Sequence, residues 1–382
     1  MMLGFIVITV LFIAVVQLCM HLLLSRALDT VGYRLARLSL LLNSVSMIGM
    51  GVSFSAEHKG LWQGTAVQAV SVWLMFQLFV IAMLAVYLAA RYIYRKNINT
   101  PVDASRRHFA KALAAVPCAA AGASLYGSFV EKDSLVVRSY SLPVQGLGKR
   151  LQGYRIAQLS DVHLGPFFDL QALRNLLDKT AAEKPDVLVI TGDLFDDAST
   201  TIQAAKLLDS YADSFPQGIF YCRGNHEHFR GIALVEIALA NTRVHNLVNS
   251  CELVMDDERP LYIAGVDYPM EREQFDFLQE AYTEQAMAGI PAGAVKVLLA
   301  HHPAFFDTAA KYDTELVLSG HTHGGQLGFF GLPLAPPIFR YMRGWYRQAH
   351  SALYVHCGNG SWFPFRLGCP PEIAVFRLQA AE

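Results

Sequence analysis

The chain has 382 residues, 53% hydrophobic and 16% charged, with a formal net charge of −1. That near-zero balance argues against nucleic acid as a partner, and the apolar fraction is too high for one ordinary soluble domain. The excess lies before about residue 130, which gives a membrane region at 1–130, a linker at 131–152 and a soluble domain at 153–382.

Four apolar stretches, 3–24, 38–54, 67–88 and 109–130, predict four transmembrane helices. The last is rich in Ala and Gly, which suits close helix packing. Arg26, Arg34 and Arg37 lie between the first and second stretches. Arg91, Arg95, Lys96, Arg106, Arg107 and Lys111 lie between the third and fourth, and the remaining loop carries only Glu57 and Lys59. The positive-inside rule makes both Arg-rich loops cytoplasmic, so a spanning fourth helix puts the rest of the chain on the outer, periplasmic face of an inner membrane. Residues 105–111 read as a basic flank on that helix. They also resemble a twin-arginine export signal with Ala110 in place of the usual Leu, and both readings favour export. The six cysteines form no C-x-x-C pattern and read as free thiols.

Beyond Arg155 short apolar runs alternate with amphipathic ones. Strands are predicted at 156–159, 187–191, 219–222, 261–266, 295–299, 316–319, 353–355 and 373–378, with helices at 170–182, 201–211, 231–240, 273–288 and 304–311. Apolar runs of this kind are buried on both faces, and their alternation with helices predicts a layered α/β domain.

Polar residues collect where these strands end. Asp161-Val162-His163 follows the first, Gly192-Asp193-Leu194-Phe195-Asp196 the second, and Gly224-Asn225-His226-Glu227 the third. His301-His302 and Gly320-His321-Thr322-His323-Gly324-Gly325-Gln326 follow later strands. Strand ends aim the first residues of their loops at one edge of a sheet. Carboxylate, imidazole and amide groups converging there suit two close divalent ions of the Mn, Fe or Zn kind, one carboxylate bridging both.

These five motifs resemble those of the calcineurin-like metallophosphoesterase superfamily, over roughly 155–378. The resemblance implies a two-sheet β-sandwich flanked by helices and a phosphoester substrate. It also implies roles: Asp161, His163 and His323 on one metal, Asp193 as bridge, and Asn225, His301 and His321 on the other. His226 would be the proton donor and Asp196 its orienting acid. His302 is read as supporting or solvent-facing, and Glu227 as supporting or capping. Arg223 and Arg343 are candidate substrate-phosphate ligands. The apolar loop 327–339 and the Arg- and aromatic-rich stretch after it suit an interface with membrane lipids. The closing residues 358–373 resemble a bacterial membrane-associated or exported branch, which suggests a lipid-linked or envelope phosphate ester. Two alternatives remain open: a cytoplasmic-facing pyrophosphate hydrolase of a nucleotide-linked lipid of the UDP-diacylglucosamine type, and a non-catalytic membrane sensor or scaffold.

Overall fold

The computed structural model describes residues 2–55, 61–97, 102–329, 332–333, 339–361 and 363–381. Glu57, Lys59 and residues 330–331 and 334–338 of the expected lipid-facing loop lie outside these, as do the side chains of Arg26, Arg91, Arg95, Lys96, Arg106, Arg107 and Lys111. The chain divides into two compact units, Met1–Val130 with Phe363–Phe365, and Glu131–Trp362 with Arg366–Glu382.

The first unit is helical: α1 (Met2–Ser55), α2 (Leu61–Asn97) and α3 (Val102–Phe129). The Gln17 side chain bonds Ala36 O at 2.8 Å, Ser39 at 3.0 Å and Asn43 at 2.9 Å. A straight helix would hold positions 17 and 43 roughly 39 Å apart, so α1 doubles back on itself. It does so near Gly32, where the Leu24 carbonyl leaves no room for a side chain. The first two expected stretches therefore belong to one folded-back helical run. Among the described residues one stretch, Gly64–Ala90, is long and apolar enough to cross a membrane, and Leu11–Ser25 is a shorter apolar helix.

The second unit holds two six-stranded sheets. The first is built from β1 (Val136–Val144), β2 (Arg155–Leu159), β3 (Val187–Thr191), β4 (Ile219–Cys222), β5 (Val244–Asn246) and β14 (Glu372–Ala380), in the order β1-β14-β2-β3-β4-β5. The second contains β6 (Ser250–Met255), β7 (Leu261–Gly265), β8 (Val295–Leu299), β9 (Leu316–Ser319), β12 (Gly344–Gln348) and β13 (Ser351–Val355), in the order β12-β13-β9-β8-β7-β6. Strands β2 to β5 run parallel, as do β7, β8, β9 and β13. A short hairpin, β10 (Gly328–Phe329) with β11 (Leu332–Pro333), lies in the expected apolar loop.

Strand side chains alternate between faces, and here both faces are covered. Val187 and Val189 of β3 point into the layer between the sheets, with Ile263, Val297 and Leu318 of the facing sheet. Leu188 and Ile190 point the other way, onto α4 (Leu170–Ala182), α5 (Thr201–Ser210) and α7 (Ile232–Leu239). The second sheet is covered by α8 (Phe275–Met287) and α9 (Phe305–Ala309). This double burial explains the continuous apolar runs. The expected two-sheet α/β architecture is therefore what the chain forms. Residues 131–152 are not a linker, because β1 lies within them and pairs with β14 along nine positions. A separate helix, α6 (Asn225–Arg230), precedes α7.

Glu372, the first residue of β14, is buried. It accepts bonds from Tyr354 Oη and the Cys357 amide, both at 2.9 Å, and pairs with Arg138 Nε at 2.7 Å. Burial alone would raise its pKa, but His356, the Cys357 amide, Tyr354 and Arg138 bring it below the ordinary glutamate value. A depressed carboxylate stabilises the fold above its unfolded pKa, and that contribution disappears as pH falls through the folded value. Glu372→Gln is expected to cost about 2 kcal/mol at pH 7, with Arg138 partly exposed and so discounted. Thermal unfolding across pH should show the gap between parent and variant closing below about pH 4.5.

Candidate metal centre

The carboxyl ends of β2, β3 and β4 lie side by side because the strands are parallel neighbours. The ends of β8 and β9 do the same in the facing sheet. Asp161 and His163 leave β2, Asp193 leaves β3, Asn225 leaves β4, His301 leaves β8, and His321 and His323 leave β9. Asp161, His163, Asp193, His321 and His323 all have φ between 50° and 71°, in the left-handed region that side chains avoid. Glycines let the loops close in. A Cβ on Gly224 would lie 2.1 Å from Asp193 Oδ1, and one on Gly320 would lie 2.1 Å from Asp161 Oδ2.

The side chains form two groups that share Asp193. His163 Nε2 is 3.0 Å from His323 Nε2, and His323 Nε2 is 3.5 Å from Asp161 Oδ1. His321 Nδ1 is 3.0 Å from Asn225 Oδ1 and 3.2 Å from His301 Nε2. Asp193 Oδ2 stands 3.1 Å from His301 Nε2 and 3.7 Å from His163 Nε2. The structure thus brings together all seven residues that the sequence motifs singled out as ligands.

Hydrogen bonds fix what these nitrogens present. His163 Nδ1 faces Asp196 Oδ2 at 3.2 Å, and His301 Nδ1 faces the Thr191 carbonyl at 2.8 Å. With those acceptors, Nδ1 carries a proton in both rings, and Nε2 is the ring atom that points inward. Among the described residues the buried His323 Nδ1 has no partner. Imidazole, carboxylate and amide groups therefore converge, a donor set that fits a binuclear divalent metal site.

The electrostatics point the same way. Burial would lower the His301 pKa, but Asp193 beside it overrides this and pushes it up to about 10. A proton thus takes the place a cation would fill. Burial, with His301 and His302 beside the one and His163 beside the other, holds His321 and His323 well below the usual histidine range. Asp193 is drawn well below the carboxylate range by its histidines despite its burial.

Asp196 uses both oxygens. Oδ2 faces His163, while Oδ1 takes His226 Nδ1 at 2.9 Å and Arg230 Nε at 2.7 Å. His226 Nε2 is then directed to within 4.0 Å of Asp193 Oδ2. Burial lowers the His226 pKa, and the bond to Asp196 outweighs it, so the net shift is upward. Glu227 accepts four backbone amides, from Asp193, Leu194, Phe195 and Gly224. His302 Nδ1 accepts the Ala304 amide, and the ring packs against Phe275.

The two arginines singled out for substrate phosphate differ in what they meet. Arg223 pairs with Glu236 at 2.6 Å and Asp267 at 3.2 Å, and is 7% exposed. Arg343 donates to the Gly368 carbonyl at 2.9 Å. The residue missed is Arg230, half-exposed and bonded to Asp196. Its signal was position: it follows His226 by four residues, so on α6 the two share a face.

Residues 154–325 match the model of the calcineurin-like phosphoesterase family. The chain is 29% identical over 289 residues to YkuE, an uncharacterized metallophosphoesterase of Bacillus subtilis (strain 168), covering 73% of this chain and 99% of that protein. It is 29% identical to an uncharacterized metallophosphoesterase of Aquifex aeolicus (strain VF5), over 66% of this chain and 95% of that protein. It is also 30% identical to a Danio rerio transmembrane protein with metallophosphoesterase domain, over 68% of this chain but only 60% of that relative's length.

Calorimetric titration with Mn²⁺ should give two equivalents per chain. His321→Ala and His323→Ala should each lose one, and not the same one. Loss of both equivalents together in either variant would contradict the division into two groups.

Proposed function

We propose, for a chain that carries a calcineurin-like metallophosphoesterase domain and is a metal-dependent phosphoester hydrolase, that it is anchored in a membrane and acts on a lipid-linked or envelope phosphate ester. The observation that carries the chemistry is the Asp193 carboxylate within 3.1 Å and 3.7 Å of imidazoles from the two ligand groups. In this reading Asp161, His163 and His323 hold one ion, Asn225, His301 and His321 hold the other, and Asp193 bridges. The imidazole content favours Mn, Fe or Zn over Mg or Ca.

Two ions held there would supply an activated water and neutralise charge on the phosphoryl oxygens. The chain's own groups do the rest. His226, its pKa raised by the bond to Asp196, presents Nε2 beside Asp193, where a leaving oxygen needs its proton. Arg230, on the same carboxylate and half-exposed, is placed to donate to a non-bridging phosphate oxygen. All seven ligand residues are intact, which favours hydrolysis over a scaffold that only binds.

Membrane anchoring is supported by the apolar helix Gly64–Ala90 and by the name of the Danio rerio relative. The outer-face orientation rests on the Arg-rich loops of the sequence, and the lipid-linked substrate on tethering.

Asp193→Asn should lower Mn²⁺-dependent hydrolysis of bis(p-nitrophenyl) phosphate by at least about a hundredfold while the protein stays folded. Arg230→Ala should raise KM about tenfold with a smaller change in kcat, and Arg223→Ala should leave KM alone. An unchanged rate for Asp193→Asn sinks the two-metal reading. Orientation has its own test, because Asp256 is exposed on the second unit. Asp256→Cys should react with a membrane-impermeant maleimide in intact cells above the background of the parent chain. Labelling only after lysis would place the domain inside.

A further inference from the structure

Cys357 and Cys369, 3% and 0% exposed, flank the loop between β13 and β14. Their sulfurs both lie within 3.0 Å of one point, the position a Cβ on Gly324 would take. The buried Arg366 fixes both backbones at once: its Nη1 donates to the Cys357 carbonyl at 2.7 Å and the Cys369 carbonyl at 3.1 Å, and Nη2 donates to Gly360 O at 2.6 Å. Two sulfurs gathered at one point, on backbones tied to a single guanidinium, are placed for a disulfide.

The pair also touches the metal-binding turn. A Cβ on Gly324 would lie 2.7 Å from Cys369 Sγ and 3.0 Å from Cys357 Sγ, so only the glycine separates the sulfurs from that backbone. Cys369 Sγ donates to the His323 carbonyl at 3.4 Å. Oxidation removes that donor and pulls the two sulfurs together under a turn whose residue 323 already sits at φ 50°.

We propose that Cys357 and Cys369 form an oxidation site at which a hydroperoxide converts the two thiols to a disulfide, displacing the Gly324 turn and withdrawing His323 from the metal centre. One thiol, losing its proton, attacks the peroxide oxygen and becomes a sulfenic acid as the first water leaves. The second thiol attacks that sulfur, the S–S bond forms and the second water leaves. Two thiols and one hydrogen peroxide thus become one disulfide and two waters. The effect on the centre rests on the two-metal reading above, whereas disulfide formation does not.

The full-length reduced protein is treated with hydrogen peroxide, blocked with N-ethylmaleimide under denaturing conditions and digested for mass spectrometry. A peptide cross-linked through Cys357 and Cys369 is expected. Mn²⁺ affinity at one of the two sites should fall at least tenfold, and hydrolysis of bis(p-nitrophenyl) phosphate should fall in step. A phosphine reductant should restore both. Cys357→Ala should give no cross-link, and its Mn²⁺ affinity should not respond to peroxide, whatever its starting value. Maleimide on both cysteines after peroxide overturns the oxidation site. A cross-link that leaves Mn²⁺ affinity unchanged, or a Cys357→Ala chain that loses affinity equally, overturns its coupling to the metals. If reduced protein binds Mn²⁺ but hydrolyses nothing, the enzymatic reading fails, while the cross-link and the titration still decide this proposal.

Discussion

The Glu227 carboxylate, buried beneath the site, gathers the amides of Asp193, Leu194 and Phe195 from one strand-end loop and Gly224 from the next. Everything that converges above depends on it. Five ligand residues sit in left-handed backbone, each at a cost on the order of 1 kcal/mol. Bonds from amides to a charged acceptor return about 1.5–3 kcal/mol each. Burial and the nearby Asp193 push the Glu227 pKa up, and the amides of Phe195 and Gly224 pull against them. Glu227 therefore acts below the site, tying the Asp193 loop to the start of α6, the helix that carries Asn225 and His226.

The same loops hold each other by backbone bonds. The Asp161 amide donates to Gly192 O at 3.1 Å, and the His163 amide donates to Asp193 O at 2.9 Å. Asp161 in turn receives the His321 amide on its carboxylate, at 3.0 Å to Oδ1. On the far side of Asp161 the Gly358-Asn359-Gly360 turn returns amides to the carbonyls of Ser160 and Asp161, both at 2.9 Å. That glycine pattern thus props the metal turn from behind. A Cβ on Gly360 would collide with the Val162 carbonyl, which accounts for glycine there without any reference to substrate shape.

The core of the second unit and the polar residues gathered at its strand ends were legible because both signals are local. A strand buried on two faces announces itself as four or five consecutive apolar residues, and its ligands follow within a few positions, as in Val187–Thr191 and then Asp193. Strand β1 was not legible. It lies at the sheet edge with alternating half-exposed positions and contains Pro143, and its partner β14 lies more than two hundred residues away. No window of sequence carries that pairing. Nor does composition reveal which arginine is engaged: Arg223 adjoins the metal motif yet is neutralised by Asp267 and Glu236 from other segments. In the helical unit the apolar count concealed a neutral amide network, in which Asn43 bonds Gln17, Trp73 and Gln77 at 2.8–3.2 Å. Polar groups bonded this way let helices pack in an apolar setting without leaving a donor unmet.

Asp196 shows why residue type and spacing alone underdetermine chemistry. Read from sequence, it was the orienting acid of one histidine. In the fold its two oxygens serve two rings with opposite duties. Bonding Nδ1 of His163 leaves that ring's Nε2 as a lone pair aimed at His323 and Asp193, the state a metal ligand needs. Bonding Nδ1 of His226 raises that ring's proton affinity, the state a proton donor needs. The two rings, T-shaped with centroids 4.5 Å apart, differ in what lies beyond Nε2. His163 faces other ligands across 3.0 Å, whereas His226 stops 4.0 Å short of Asp193. One carboxylate thus orients both rings, and under the proposed function the geometry past each Nε2 separates the ring that would bind metal from the ring that would give up its proton.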